Sequence, residues 1–179
     1  QRELFVEAER AFQQAENVLN EAGRQFGREL QELESKPDPT SAGKDRIGTL
    51  REKTMLARYH GVVAMFEHGD MLERRETGSG RPVLQAVEKA GKDFLSDYDG
   101  YLAGYDVAIY LGRACAGRDD FERAIPYLDR ACEISRSDAQ AARGYGEIAK
   151  RAYFYKAQAC NGRGDRTHDG RYHEDALKT

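Results

Sequence analysis

Apolar residues in the first fifth of the chain recur at spacings of three and four: Ala8, Ala11, Phe12, Ala15, Val18, Leu19, Ala22, Phe26, Leu30 and Leu33. That period places them on one stripe of a helix, with Glu, Gln and Arg filling the remaining positions. It predicts a helix over 2–34 that stops before Pro37 and Pro39, followed by a loop over 35–45. A second stripe, Ile47, Leu50, Leu56, Tyr59, Val63 and Phe66, predicts a helix over 45–72. The polar, Gly-containing stretch 73–81 reads as a connector, and Pro82 suits the first turn of the next helix, where its missing N–H is not needed.

Val83, Leu84, Val87, Ala90, Phe94 and Tyr98 carry that next helix to a break at Asp99-Gly100. A helix over 101–116 follows, then a tight turn over 117–120. Another helix holds Phe121, Ala124, Ile125, Leu128, Ala131 and Ile134 and ends near Ser135. Asp119 and Glu122 have the spacing of a capping box at its start, and Pro126 inside it predicts a bend. The pattern continues as a helix over 138–160, a polar connector over 161–170, and a final helical segment. No stretch alternates as a strand, so the expected class is all-α.

Parts of the pattern repeat. Ala57, Tyr59 and Gly61 recur as Ala108, Tyr110 and Gly112, and Ala114-Cys115 with Gly117 recurs as Ala159-Cys160 with Gly162. Each match lies near a helix end and is followed by a connector and another helix, so the repeating unit is a helical hairpin. Between residues 105 and 138, Leu111-Gly112, Cys115, Ala124, Leu128 and Ala131 resemble the tetratricopeptide repeat. Leu111, Gly112 and Ala124 match that pattern by identity. Cys115 and Leu128 replace its aromatic residues, Ala108 stands where Trp is typical, and Arg136 takes the place of the closing Pro. The flanking units match less closely, through Ala90 and Phe94 and through Tyr172 and Ala176. The layout also looks like bacterial repeat proteins with lengthened helices.

The resemblance implies antiparallel helical hairpins stacked as a short right-handed superhelix. Its parts would be a long N-terminal helix over 1–36, acting as a cap or the end of a preceding repeat, and hairpins over 45–98, 101–136 and 138–179, the last incomplete. Gly61 and Gly112 would let neighbouring helices approach closely, with Tyr59, Leu111, Cys115, Ala124, Leu128 and Ala131 packing the repeats. A single hairpin cannot bury both of its faces, so stacked neighbours supply the missing core. Such a stack has a concave surface lined by the first helix of each pair. The candidate partner-binding residues there are Met55, Arg58, Val62, Met65, Asp106, Ile109, Arg113, Arg151, Phe154 and Gln158. Guanidinium forks on Arg58, Arg113 and Arg151 suit carboxylates on a peptide.

Composition narrows the function without naming it. With 28 Lys and Arg against 31 Asp and Glu, the net charge is −3, which lacks the basic excess of a nucleic-acid binder. No run of apolar residues is long enough for a membrane span. Cys115, Cys132 and Cys160 are odd in number and lack CxxC spacing, so they read as small buried apolar residues rather than a disulfide or zinc framework. His168 and His173 lie among carboxylates over 165–175, but their spacing matches no metal motif, and a polar connector is the reading there. Asp97 and Asp99, at a break, read as capping groups rather than a catalytic pair, and no GxSxG, P-loop or dinucleotide pattern occurs. No cofactor, metal or catalytic set is expected. The expectation is a non-catalytic interaction or scaffolding module, excised from a larger protein, that binds a protein or peptide segment. The alternative is a structural subunit that self-associates by end-to-end stacking.

Overall fold

The computed structural model describes residues 2–36, 40–136 and 144–179. Its elements are α1 (Arg2–Ser35), α2 (Ser41–Arg75), α3 (Arg81–Tyr98), α4 (Leu102–Ala116), α5 (Phe121–Cys132) with a 3-10 turn (Glu133–Arg136), α6 (Tyr145–Thr167) and α7 (Gly170–Lys178). The chain is all-helical, with no strand among the described residues. It divides into two compact units, residues 1–64 and 65–179, and the boundary falls inside α2.

In the first unit α1 and the first two-thirds of α2 form an antiparallel hairpin. The direction follows from which residues meet: Gly27 faces Thr54, Gly23 faces Ala57 and Arg58, and Gly61 faces Leu19 and Asn20. Leu50, Thr54, Ala57 and Val62 are buried, and exposed ion pairs Arg46–Glu29 (2.5 Å) and Arg51–Glu34 (2.7 Å) lie along the edge. Pairs that exposed contribute about 0–1 kcal/mol each, so buried apolar area and not charge holds the hairpin. α2 begins four residues earlier than its apolar stripe predicts. Thr40 supplies the start, its hydroxyl accepting from the Gly43 N–H at 3.2 Å. Part of the predicted 35–45 loop lies outside the described residues.

In the second unit the connector between α2 and α3 is a turn closed by Glu73, whose carboxylate accepts from the N–H groups of Gly78 (2.6 Å) and Gly80 (3.1 Å). Gly78 takes φ +92°, and a Cβ on Gly80 would lie 2.1 Å from the Gly69 carbonyl oxygen, so both positions require glycine. Pro82 sits in the first turn of α3, as predicted.

α4 is the central helix: every residue from 104 to 112 is buried. It packs against α3, α5 and α6. The contacts depend on small residues. A Cβ at Gly91 would lie 2.6 Å from Leu111 Cδ2, and one at Gly112 would lie 2.4 Å from Leu128 Cγ. Leu111, Cys115, Ala124, Leu128 and Ala131 are all at most 1 % exposed. Gly61 is buried against α1, and Tyr59 is half-buried beside His60. The three cysteines are buried, as the sequence suggests. Burial raises all three thiol pKa values, that of Cys132 to about 11.

Two local expectations are corrected. The cap of α5 is Asp120, whose carboxylate accepts from the Arg123 N–H at 3.3 Å; Asp119 instead takes φ 63° in the turn, and its carboxylate receives Arg81 at 3.0 Å. α5 itself runs on through Pro126. The second correction concerns 161–167, read as connector but forming the last two turns of α6. There Gly162 abuts the Phe121 ring and Gly164 abuts the His173 ring, at 2.6 and 2.7 Å from a built Cβ. Those glycines are points of close helix approach, not turn formers. The start predicted for α6 at residue 138 lies outside the described residues.

Candidate functional site

The C-terminal turns of α2 and α4 and the middle turns of α6 border a cleft of about 550 Å³ in the second unit. α2 contributes Phe66, Asp70 and Arg74, and α4 contributes Arg113, Ala116 and Gly117. α6 supplies Phe154, Tyr155, Gln158, Ala159 and Gly162, while Phe121 and Leu128 of α5 close the bottom. These positions follow from helix periodicity: Phe66, Asp70 and Arg74 are spaced by four, as are Phe154 and Gln158, so each set lies along one face. Phe154 is 57 % exposed despite its size, whereas Leu128 is 1 % exposed. The cleft thus has an apolar bottom and an aromatic wall that remains in water.

Arg113 organises the polar side. Its guanidinium lies 4.3 Å from the Phe66 ring centre and 4.4 Å from the Tyr155 ring centre, with Tyr110 at 6.0 Å. Two rings at that distance attract the guanidinium by cation–π interaction, about 0.5–2 kcal/mol per contact. No carboxylate among the described residues forms an ion pair with it. Asp70 is engaged by Arg74 at 2.7 Å. The charged residues lining the cleft are therefore one anion, Asp70, and two cations, Arg74 and Arg113, a net of +1.

Arg151 differs from Arg113 in its partner. It meets the buried Asp106 carboxylate at 2.8 Å and lies 5.3 Å from the Tyr110 ring centre. Burial works against its charge, and Asp106 and the Tyr110 hydroxyl outweigh burial, so its pKa is raised. Of the residues expected on the binding surface, Arg113, Phe154 and Gln158 line the cleft. Asp106 at 5 %, Ile109 at 0 % and Val62 at 2 % exposure have no surface for a partner, because the helix face that carries them points into packed neighbours. Met65 is half-buried and is replaced in the lining by its neighbour Phe66. Arg58 and Met55 are half-buried in the first unit, where Gly23 packs against the Arg58 stem. The missed residues are Phe66, Asp70, Arg74, Phe121 and Tyr155; the four-residue spacing of the first three is the signal that points to them.

The 165–175 stretch is tied to the end of α6 and within itself. His173 Nδ1 lies 3.2 Å from Asn161 Oδ1, Asp169 caps α7 by accepting from the Arg171 N–H, and Arg163 stacks on Tyr172 at 4.1 Å. Among the described residues no group of three or more His, Cys, Asp or Glu side chains is placed to hold a metal ion. Asp99 ends α3 and its carboxylate receives Arg130 of α5 at 2.7 Å, which makes it a tie between helices as well as a terminus. Among the described residues no helix is long and apolar enough to cross a membrane. No family model matches the chain, and comparisons with curated proteins and with solved structures likewise yield no match.

Proposed function

We propose that the chain is a non-catalytic protein-interaction module, a short tetratricopeptide-like stack that holds a peptide or helix of a partner protein in the cleft. The observation that carries this reading is the side-by-side placement of the C-terminal turns of α2 and α4 and the middle turns of α6 around an open, aromatic-walled cleft. α4 packs on α5 within its hairpin and on α6 of the next, which is the neighbour relation that a stacked-hairpin surface needs. Apolar depth, a wet aromatic and a single stacked cation form the lining of a recognition groove.

Site-specific photo-crosslinking tests the proposal. A photoreactive phenylalanine analogue at Phe154 or Gln158 should trap a partner that the same group at Gln85, exposed on α3, does not. Equal trapping from Gln85, or none from the cleft positions, would overturn the reading. The alternative of end-to-end self-stacking draws on α7, which has no buried residue and leaves Leu177 89 % exposed. It predicts a mass that grows with concentration and a loss of that growth in Leu177→Asp; a constant monomer mass removes it.

A further inference from the structure

We infer that the cleft selects a partner segment by one carboxylate set beside a large apolar side chain, with Arg113 as the carboxylate-reading group. This deepens the proposed interaction role and rests on it.

A guanidinium reads a ligand carboxylate only if its donors are not already spent on a protein acid. Arg151 is engaged with buried Asp106, and Arg74 with Asp70. Arg113 instead lies against the Phe66 and Tyr155 rings, with no carboxylate paired to it among the described residues, so its N–H donors are not spent on a protein acid. Contact with two rings restrains the side chain before a ligand arrives, so less side-chain entropy is lost when a carboxylate docks. The lining charge of +1 calls for one compensating anion, not the row of acids that three converging arginines would call for.

Phe121, Leu128 and Ala159 give the cleft an apolar bottom. At about 550 Å³ the cleft has room for a Leu- or Phe-sized group beside Phe154. Gln158 adds an amide able to pair with a backbone group of the ligand. The ligand class is thus a peptide bearing Asp or Glu next to Leu or Phe. A polyanion has no use for the apolar bottom, and a purely apolar helix would leave the Arg113 donors unmatched.

The test uses fluorescent ten-residue peptides with a central Asp-Phe or Glu-Leu pair, their Asn-Phe and Gln-Leu counterparts, and a phosphoserine-Phe peptide, titrated against the full chain by anisotropy. Backbone amide shifts locate each binding site. The carboxylate peptides should bind at least ~10-fold tighter than the amide peptides, about 1.4 kcal/mol. Arg113→Gln should abolish that preference, and Arg113→Lys, which keeps the charge but not the planar fork, should retain only part of it. The thermal midpoint of each variant separates a lost contact from a lost fold. Cleft binding without a carboxylate preference, or a preference that survives in a folded Arg113→Gln chain, overturns the carboxylate inference and leaves the groove standing. Tighter binding of the phosphoserine peptide than of either carboxylate peptide overturns it in favour of a phosphate reader. Shifts that fall outside the cleft, or no binding by any peptide, overturn both the inference and the groove reading.

Discussion

Glu88 is where a single carboxylate holds three segments together, and replacing it by Gln should cost about 2 kcal/mol. Its side chain is 6 % exposed on α3 and accepts from Arg118 (2.5 Å) in the α4–α5 turn, Arg123 (3.2 Å) in α5 and Lys92 (2.9 Å) one turn along. Burial by itself would raise the carboxyl pKa. The hydrogen bonds and charges of Lys92 and Arg118 outweigh it and bring the value from 4.5 to about 2. A shift of that size corresponds to roughly 3 kcal/mol at 1.36 kcal/mol per unit. Arg123 and Lys92 are more than half exposed, so solvent screens their share and about 2 kcal/mol is the working figure. Gln keeps the shape and one acceptor but leaves Arg118, 12 % exposed, without its counter-charge. Because the folded pKa lies below the unfolded one, the stabilisation is complete above about 4.5 and is lost as pH falls toward 2. Denaturant unfolding of the native chain and Glu88→Gln at several pH values between 7 and 2.5 reads this directly. The difference should be about 2 kcal/mol at pH 7 and shrink below pH 4.5. A gap that stays constant across that range, or one below about 0.5 kcal/mol at pH 7, would refute the electrostatic account and leave Glu88 as a packing residue.

Two glycines in helix interiors should respond in opposite directions. Gly48→Ala in α2 meets nothing within 4 Å and should raise stability by about 0.5–1 kcal/mol, whereas Gly112→Ala drives a methyl into Leu128 and should lower it by about 1–3 kcal/mol, both read by thermal unfolding. Asp120→Ala removes the acceptor at the start of α5 together with the Arg123 ion pair, and should lower the thermal midpoint by the equivalent of about 1 kcal/mol. Phe154→Ala should change stability by less than about 0.5 kcal/mol, since the ring is largely in water, while weakening peptide capture in the cleft; a large loss of stability would place that ring in the core instead.

Helix periodicity carried most of the architecture. Wherever Leu, Phe, Val and Ala recur at three and four, as over 8–33 and 83–98, the element lies within a few residues of its predicted bounds, because an amphipathic stripe must be buried whatever it packs against. The errors concentrate where one residue type serves two purposes. Glycine in the 161–170 stretch reads as a turn signal, yet Gly162 and Gly164 sit inside α6 because Phe121 and His173 need the room a Cβ would take. The same residue at Gly112 was legible as a contact point only because Leu111 and Ala124 surround it in a recognisable pattern. A start at Thr40 and a cap at Asp120 depend on which neighbouring oxygen turns toward the N–H groups, and consecutive acids such as Asp119-Asp120 give no sequence reason to prefer one.

The binding candidates show the same limit in sharper form. Arg58, Arg113 and Arg151 occupy comparable helical positions in the sequence, and as residue types they are indistinguishable. What separates Arg113 from Arg151 is the neighbour each meets across a helix boundary: two aromatic rings in one case and a buried carboxylate in the other. Those neighbours lie about 40–50 positions away, and a helical repeat aligns cations with one another without specifying what faces them. An arginine against an acid is a structural tie whose removal would leave Asp106 buried and uncompensated. An arginine that meets rings and no acid keeps its charge and its donors for something that arrives from outside. Charge available for recognition is therefore a property of the packed pair, and a sequence count of cations overstates it wherever acids are buried beneath them.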